Sequence, residues 1–195
     1  MAALLAAATM TPAAKADLLL TVDLSVINQI TITATDGLSE ITTSGSDTTG
    51  VYLDLFYGAG VAGGGLGDST LVAGDLTSFL NTSDGSPLLF RSTFPDVDTG
   101  LNLFTFTDDL DAEFVAGTQA FSGSATYTLN ADDYSDMLLG NTSGDVYFPA
   151  DSDDDITGLT PLGTWEVVGG VIPEPTTFAL SAIGLIGLGG LRRRS

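Results

Sequence analysis

The sequence predicts an all-β domain, an antiparallel β-sandwich of jelly-roll-like form, followed by a single C-terminal transmembrane helix. Three observations lead there. Residues 17–168 are a series of short runs rich in Val, Ile, Thr, Leu, Phe and Tyr, separated by clusters of Gly, Asn, Asp and Ser, which is the pattern of strands and turns. The same region has no convincing stretch of apolar period 3.6, so no helix is expected in it. Residues 176–191, TTFALSAIGLIGLGGL, carry no charge and read as a membrane anchor.

Taken in order, residues 1–16 (MAALLAAATMTPAAKA) are a small apolar run ending Ala14-Lys15-Ala16. Ala14 and Ala16 give the small-x-small form of a signal peptidase site, so cleavage is expected before Asp17. No basic residue precedes the run, which implies a start codon upstream of Met1. Strands are then expected at 18–24, 30–35, 51–57, 101–107, 120–129, 146–148 and 164–168. The Ile-Thr alternation at 30–35 and Leu101 and Leu103 flanking Asn102 point to sheets buried on one face, the antiparallel habit. A sandwich of about eight to ten strands follows. No internal repeat of fixed period is present, so one domain, residues 17–168, is expected. Gly169 and Gly170 open a linker, 169–175, that leads to the tail, 176–195.

Composition excludes several functions. The chain has 195 residues, 25 acidic against 5 basic, and a formal net charge of -20. Between Asp17 and Ile172 the only cation is Arg91. Such a polyanion cannot replace phosphate counterions, so nucleic acid is not a partner. With no Cys and no His, disulfides, thiol nucleophiles, a Ser-His-Asp triad and the common zinc sites are all ruled out.

Four local patterns could carry chemistry. Residues 58–63 spell G-x-G-x-x-G, yet Gly64, Gly65 and Gly67 follow at once. No helix is expected there to receive a pyrophosphate, so a loop is the better reading. Acidic runs occur at 96–98, 108–113 and 151–155. The last offers Asp151, Asp153 and Asp155 as candidate calcium ligands, against the plainer reading of a solvated turn, since no EF-hand spelling is present. Otherwise no cofactor is expected. Paired carboxylates could perform glycoside hydrolysis, although acids are so frequent here that chance pairs must arise. Asn81-Thr82-Ser83 and Asn141-Thr142-Ser143 match the N-glycosylation spelling, which turn chemistry explains better.

The C-terminal stretch carries the most specific signal. Pro173-Glu174-Pro175 precedes the apolar segment, and Arg192, Arg193 and Arg194 close it. The 16 residues rise about 24 Å as a helix against a hydrocarbon core of roughly 30 Å, so Val171, Ile172 or local thinning must help. Cations just beyond the segment place themselves in the cytoplasm, as a membrane stop, and the acidic body outside. The two prolines hold the triplet extended with Glu174 displayed between them.

In this order of parts the chain resembles a PEP-CTERM sorting signal over about its last 25 residues. The resemblance implies that an exosortase recognises Pro173, Glu174 and Pro175 and removes the anchor. It also implies a transient inner-membrane stage and release to the cell surface or an extracellular polysaccharide (biofilm) matrix. The expected function is an exported, non-catalytic structural or binding protein. A secreted carboxylate-based glycoside hydrolase and a lectin-like carbohydrate-binding module are the alternatives.

Overall fold

The computed structural model of the protein describes residues 16–46, 50–58, 69–80, 87–95, 99–105, 111–150 and 155–169. In chain order the strands are β1 (Leu18–Asp23), β2 (Gln29–Ala34), β3 (Thr43–Ser46), β4 (Val51–Leu53), β5 (Thr70–Gly74), β6 (Thr77–Leu80) and β7 (Pro87–Leu89). They continue with β8 (Ser92–Pro95), β9 (Leu101–Phe104), β10 (Asp111–Phe114), β11 (Phe121–Ser122) and β12 (Ser124–Thr128). Helix α1 (Ala131–Leu138) precedes β13 (Ser143–Tyr147) and β14 (Gly163–Gly169).

Nine strands make one sheet in the order β5, β12, β2, β1, β14, β13, β4, β9, β8. All neighbours are antiparallel except β1 and β14, which run parallel. The two edges come together. Ser69, just ahead of β5, donates its N–H to Thr93 O on β8 at 3.2 Å, and Thr93 N–H donates back to Ser69 Oγ at 2.7 Å. A ring of nine strands cannot be antiparallel throughout. The one parallel contact allows β5 and β8 to meet in opposite directions, so the sheet is nearly closed into a barrel.

Side-chain alternation fills its inside. Leu20, Val22, Ile30, Ile32, Ala125 and Tyr127 are fully buried, and registers such as Val22 opposite Ile32 and Ile32 opposite Ala125 set them side by side on one face. Each large aliphatic side chain so buried contributes about 1.5–3 kcal/mol. The alternate positions face water with hydroxyls, as where Thr31 and Thr126 Oγ1 meet at 2.8 Å.

One end of the barrel is covered by the two small sheets, β3 with β10 and β6 between β7 and β11. Phe114 packs edge-on to Phe121 and to Phe148 there, at 5.6 and 5.2 Å between ring centres. At the other end lie the β1–β2 turn, residues 54–58 and α1, with Phe56, Tyr57, Tyr134 and Met137 turned inward and buried.

The all-β class holds, while the layout differs from the expected jelly-roll-like sandwich. Strands buried on one face read alike in a sandwich and a barrel, and what separates the two is how the edges meet, which here rests on Ser69 and Thr93. Strand 51–57 stops at Leu53, because a turn follows in which Leu55 takes φ 56°. The expected strand 120–129 is two strands of different sheets. Gly123 between them has φ 80°, and a Cβ there would lie 2.5 Å from Asp75 Oδ1.

Helix α1 was not expected. Asn130 caps it, its Oδ1 accepting from the N–H groups of Asp132 and Asp133 at 2.9 Å while its Nδ2 donates to Asp133 Oδ2 at 2.7 Å. Asp133 thus returns a hydrogen bond to the cap through the Asn130 side-chain amide rather than through its backbone N–H as in a capping box, and the two aspartates also suit the positive end of the helix. The expected transmembrane helix falls outside the described residues. Among those described, no helix is long and apolar enough to cross a membrane.

Candidate functional site

Because β14 lies parallel to β1, the last described strand ends beside the β1–β2 turn. Leu24 N–H donates to Gly169 O, and a Cβ on Gly169 would lie 2.2 Å from Asp23 Oδ1, so the chain leaves the barrel tightly against this turn. Asn28, at φ 59°, closes the turn, and its carbonyl accepts Leu129 N–H at 2.9 Å just before α1. The helix is tied to the same point by Tyr134, whose hydroxyl donates to Leu24 O at 2.7 Å. After the helix, Asn141 Nδ2 donates to Leu55 O and Tyr57 O. That use of the amide accounts for Asn141 in the glycosylation spelling as a clamp on a turn.

Beneath this end, Trp165 on β14 is fully buried and donates its indole N–H to Asp54 O at 3.0 Å. Phe56 packs on it with ring centres 4.9 Å apart. Tyr57 is buried with a hydroxyl that has no hydrogen-bond partner among the described residues. Burial first, then the negative charges of Asp133 and Asp136, push its pKa well above the usual phenol value.

The outer face along β14 carries a groove of about 400 Å³ flanked by Leu18, Ser143, Asp145, Thr164, Glu166 and Val167. Trp165 lies under its floor without reaching solvent. Ser143 opposes Glu166 and Asp145 opposes Thr164, so Asp145 and Glu166 are diagonal neighbours on one face, about 7–8 Å apart along the sheet. Tyr147 donates to Asp145 Oδ2 at 3.5 Å, and its pKa is raised by partial burial and by Asp145 and Asp54. Hydroxyls and carboxylates in a shallow groove can exchange hydrogen bonds with sugar hydroxyls. A pair of carboxylates on one face is also the minimum equipment of glycoside hydrolysis.

Of the residues singled out from sequence, Asp155 opens an exposed turn spanning 155–158, while Asp151 and Asp153 lie outside the described residues. Among the described residues no group of three or more acidic side chains could hold a metal ion. Ala16 is half-buried next to Asp17. Asp17 is bound into the sheet, its carbonyl accepting Thr164 N–H at 2.8 Å and its carboxylate accepting Leu38 N–H at 3.0 Å. Ala14, Pro173, Glu174, Pro175, Arg192, Arg193 and Arg194 are outside the described residues, as is the glycine-rich stretch beyond Gly58 that was expected to form a loop.

Sequence reasoning did not find Asp145 and Glu166 as a pair. The available signal was the alternation Ser-x-Asp on one strand and Thr-x-Glu on the other, which sets their faces but not their register.

No curated protein and no solved structure matches this chain. One family model does, over residues 171–194, which begin two positions after β14 ends. That model is the PEP-CTERM protein-sorting motif, so the polypeptide leaving the barrel beside Leu24 is a signal for export and sorting through an exosortase.

Proposed function

We propose that this protein is an exported, non-catalytic barrel protein that passes through a transient inner-membrane stage. An exosortase then frees it to the cell surface or an extracellular polysaccharide matrix, where it serves as a structural or binding component. The observation that carries the reading is the sorting motif at 171–194, joined to the last barrel strand by a connection of only a few residues. Asp17, held into the sheet by Thr164, supports a mature body that starts there. A body with all but one of the 25 acidic residues and only Arg91 as cation suits a hydrated, salt-screened matrix and remains soluble there.

The groove along β14 supports carbohydrate as the ligand class. Calorimetry of the released protein with exopolysaccharide from its host tests this: saturable binding without new reducing ends is the expected result. The alternative hydrolase reading draws on Asp145 and Glu166. New reducing ends that disappear in both Asp145→Asn and Glu166→Gln would establish it, and absence of both binding and turnover would leave a purely structural component.

A further inference from the structure

Six residues, 170–175, separate Gly169 from the apolar segment that opens at Thr176. Fully extended, the seven steps from Gly169 to Thr176 span at most about 25 Å. Whatever holds the apolar segment therefore lies within that distance of the barrel end formed by the β1–β2 turn, residues 54–58 and α1. The PEP triplet begins only four residues beyond the last strand, so a protease acting on it must work close against this end.

The surface it would meet has a definite character. Ile27 and Leu139, each 75% exposed, are the most exposed large apolar side chains among the described residues, and Val26, Leu55 and Val168 are also exposed here. Around them stand Asp132 and Asp136 of α1. The single cation of the body, Arg91, precedes β8 at the opposite end. Aliphatic points in a negative field repel an anionic lipid surface and complement a basic protein surface with apolar pockets.

We propose that this barrel end is a docking surface for the membrane-embedded protease that processes the tail, a second recognition element beside the PEP triplet. The proposal rests on the reading that an exosortase cleaves the tail. Pulse-chase conversion of full-length to processed protein in an exosortase-competent host tests it. The double variant Val26→Ser/Ile27→Ser, the single Leu139→Ser and the pair Asp132→Asn/Asp136→Asn each convert about fivefold or more slowly than wild type; the apolar variants melt as wild type, and the Asp pair loses no more than about 1 kcal/mol at the helix start. Leu38→Ser and Leu159→Ser, at the other end, convert normally. Residues 170–195 grafted onto an unrelated folded carrier convert at the slow rate.

Wild-type rates for the exit-end variants, or full speed for the grafted tail, overturn the docking surface and leave the sorting reading intact. If the wild-type chain is not converted in the competent host, the sorting reading fails and the docking surface with it. If the same variants abolish binding of the full chain to phosphatidylglycerol vesicles while conversion is unchanged, the end is a lipid-binding face instead.

Discussion

The two edges of the sheet meet through Ser69 and Thr93, joined by one main-chain bond and by the Ser69 hydroxyl. Ser69 Oγ accepts both Thr93 N–H and Thr93 Oγ1–H at 2.7 Å, and it donates to Thr93 O at 3.3 Å. Both residues are buried. Ser69→Ala removes that oxygen and strands the Thr93 N–H in the interior. An orphaned buried donor costs about 1–3 kcal/mol, and the lost hydroxyl bond about 1 kcal/mol more. At about 2–4 °C per kcal/mol for a domain of this size, a loss of about 2–4 kcal/mol should lower the melting temperature by about 4–16 °C. Urea unfolding gives the same loss in free energy, and hydrogen exchange should show the Thr93 amide losing protection while the Thr31 amide keeps it. Thr128→Ala is the control, since that hydroxyl is exposed and reaches Thr70 O only at 3.4 Å; it should cost under about 0.5 kcal/mol. A Ser69→Ala protein that melts within about 1 °C of wild type, with Thr93 still protected, would refute closure through this contact.

Gly144→Ala would place a Cβ 2.3 Å from Asp54 O and 2.6 Å from Trp165 Nε1. The expected loss is about 2–4 kcal/mol, seen in thermal melts together with a red shift in the emission of Trp165, the only tryptophan. Tyr127 and Tyr57 both have phenol pKa values raised by burial, so the folded state keeps protons that the unfolded chain releases near pH 10. Their contribution is complete below about pH 10 and declines as pH rises beyond it. Tyr127→Phe should cost about 1 kcal/mol at neutral pH through the lost bond to Phe90 O. Tyr57→Phe should cost nothing or stabilise, since its hydroxyl has no partner among the described residues, and both variants should flatten the alkaline decline in urea titrations. For calcium at Asp151, Asp153 and Asp155, the expected signature is a drop in melting temperature on adding chelator; an unchanged melt removes that site.

Much of the barrel wall could be read from the chain. Ile30-Thr31-Ile32-Thr33 sets the two faces of β2 directly, and β1, β9 and β14 begin within a residue of their expected starts. What could not be read has physical causes. The parallel β1–β14 contact joins segments about 140 residues apart, and nothing local in either run announces the other. Ser69 and Thr93 look like ordinary polar loop residues until the sheet curls. Helix α1 has two turns, so Tyr134, Met137 and Leu138 supply one cycle of apolar spacing, too little for a periodic signal. The capping residues Asn130 and Asp133 were the better clue. Asp145 and Glu166 stay hidden among two dozen acids until register puts them on one face. The sorting signal was legible because its parts follow one another in the chain and need no fold to bring them together.

The proposed event is export of the body and removal of its tail through the motif at 171–194. It is tested most directly by intact mass and location of the protein from its native host, compared between cells with and without exosortase activity. In competent cells the protein should be extracellular or at the surface, beginning near Asp17 and ending near Pro173 to Pro175, and it should retain the apolar tail when the exosortase is absent. Full-length protein held in the inner membrane of both strains would contradict it.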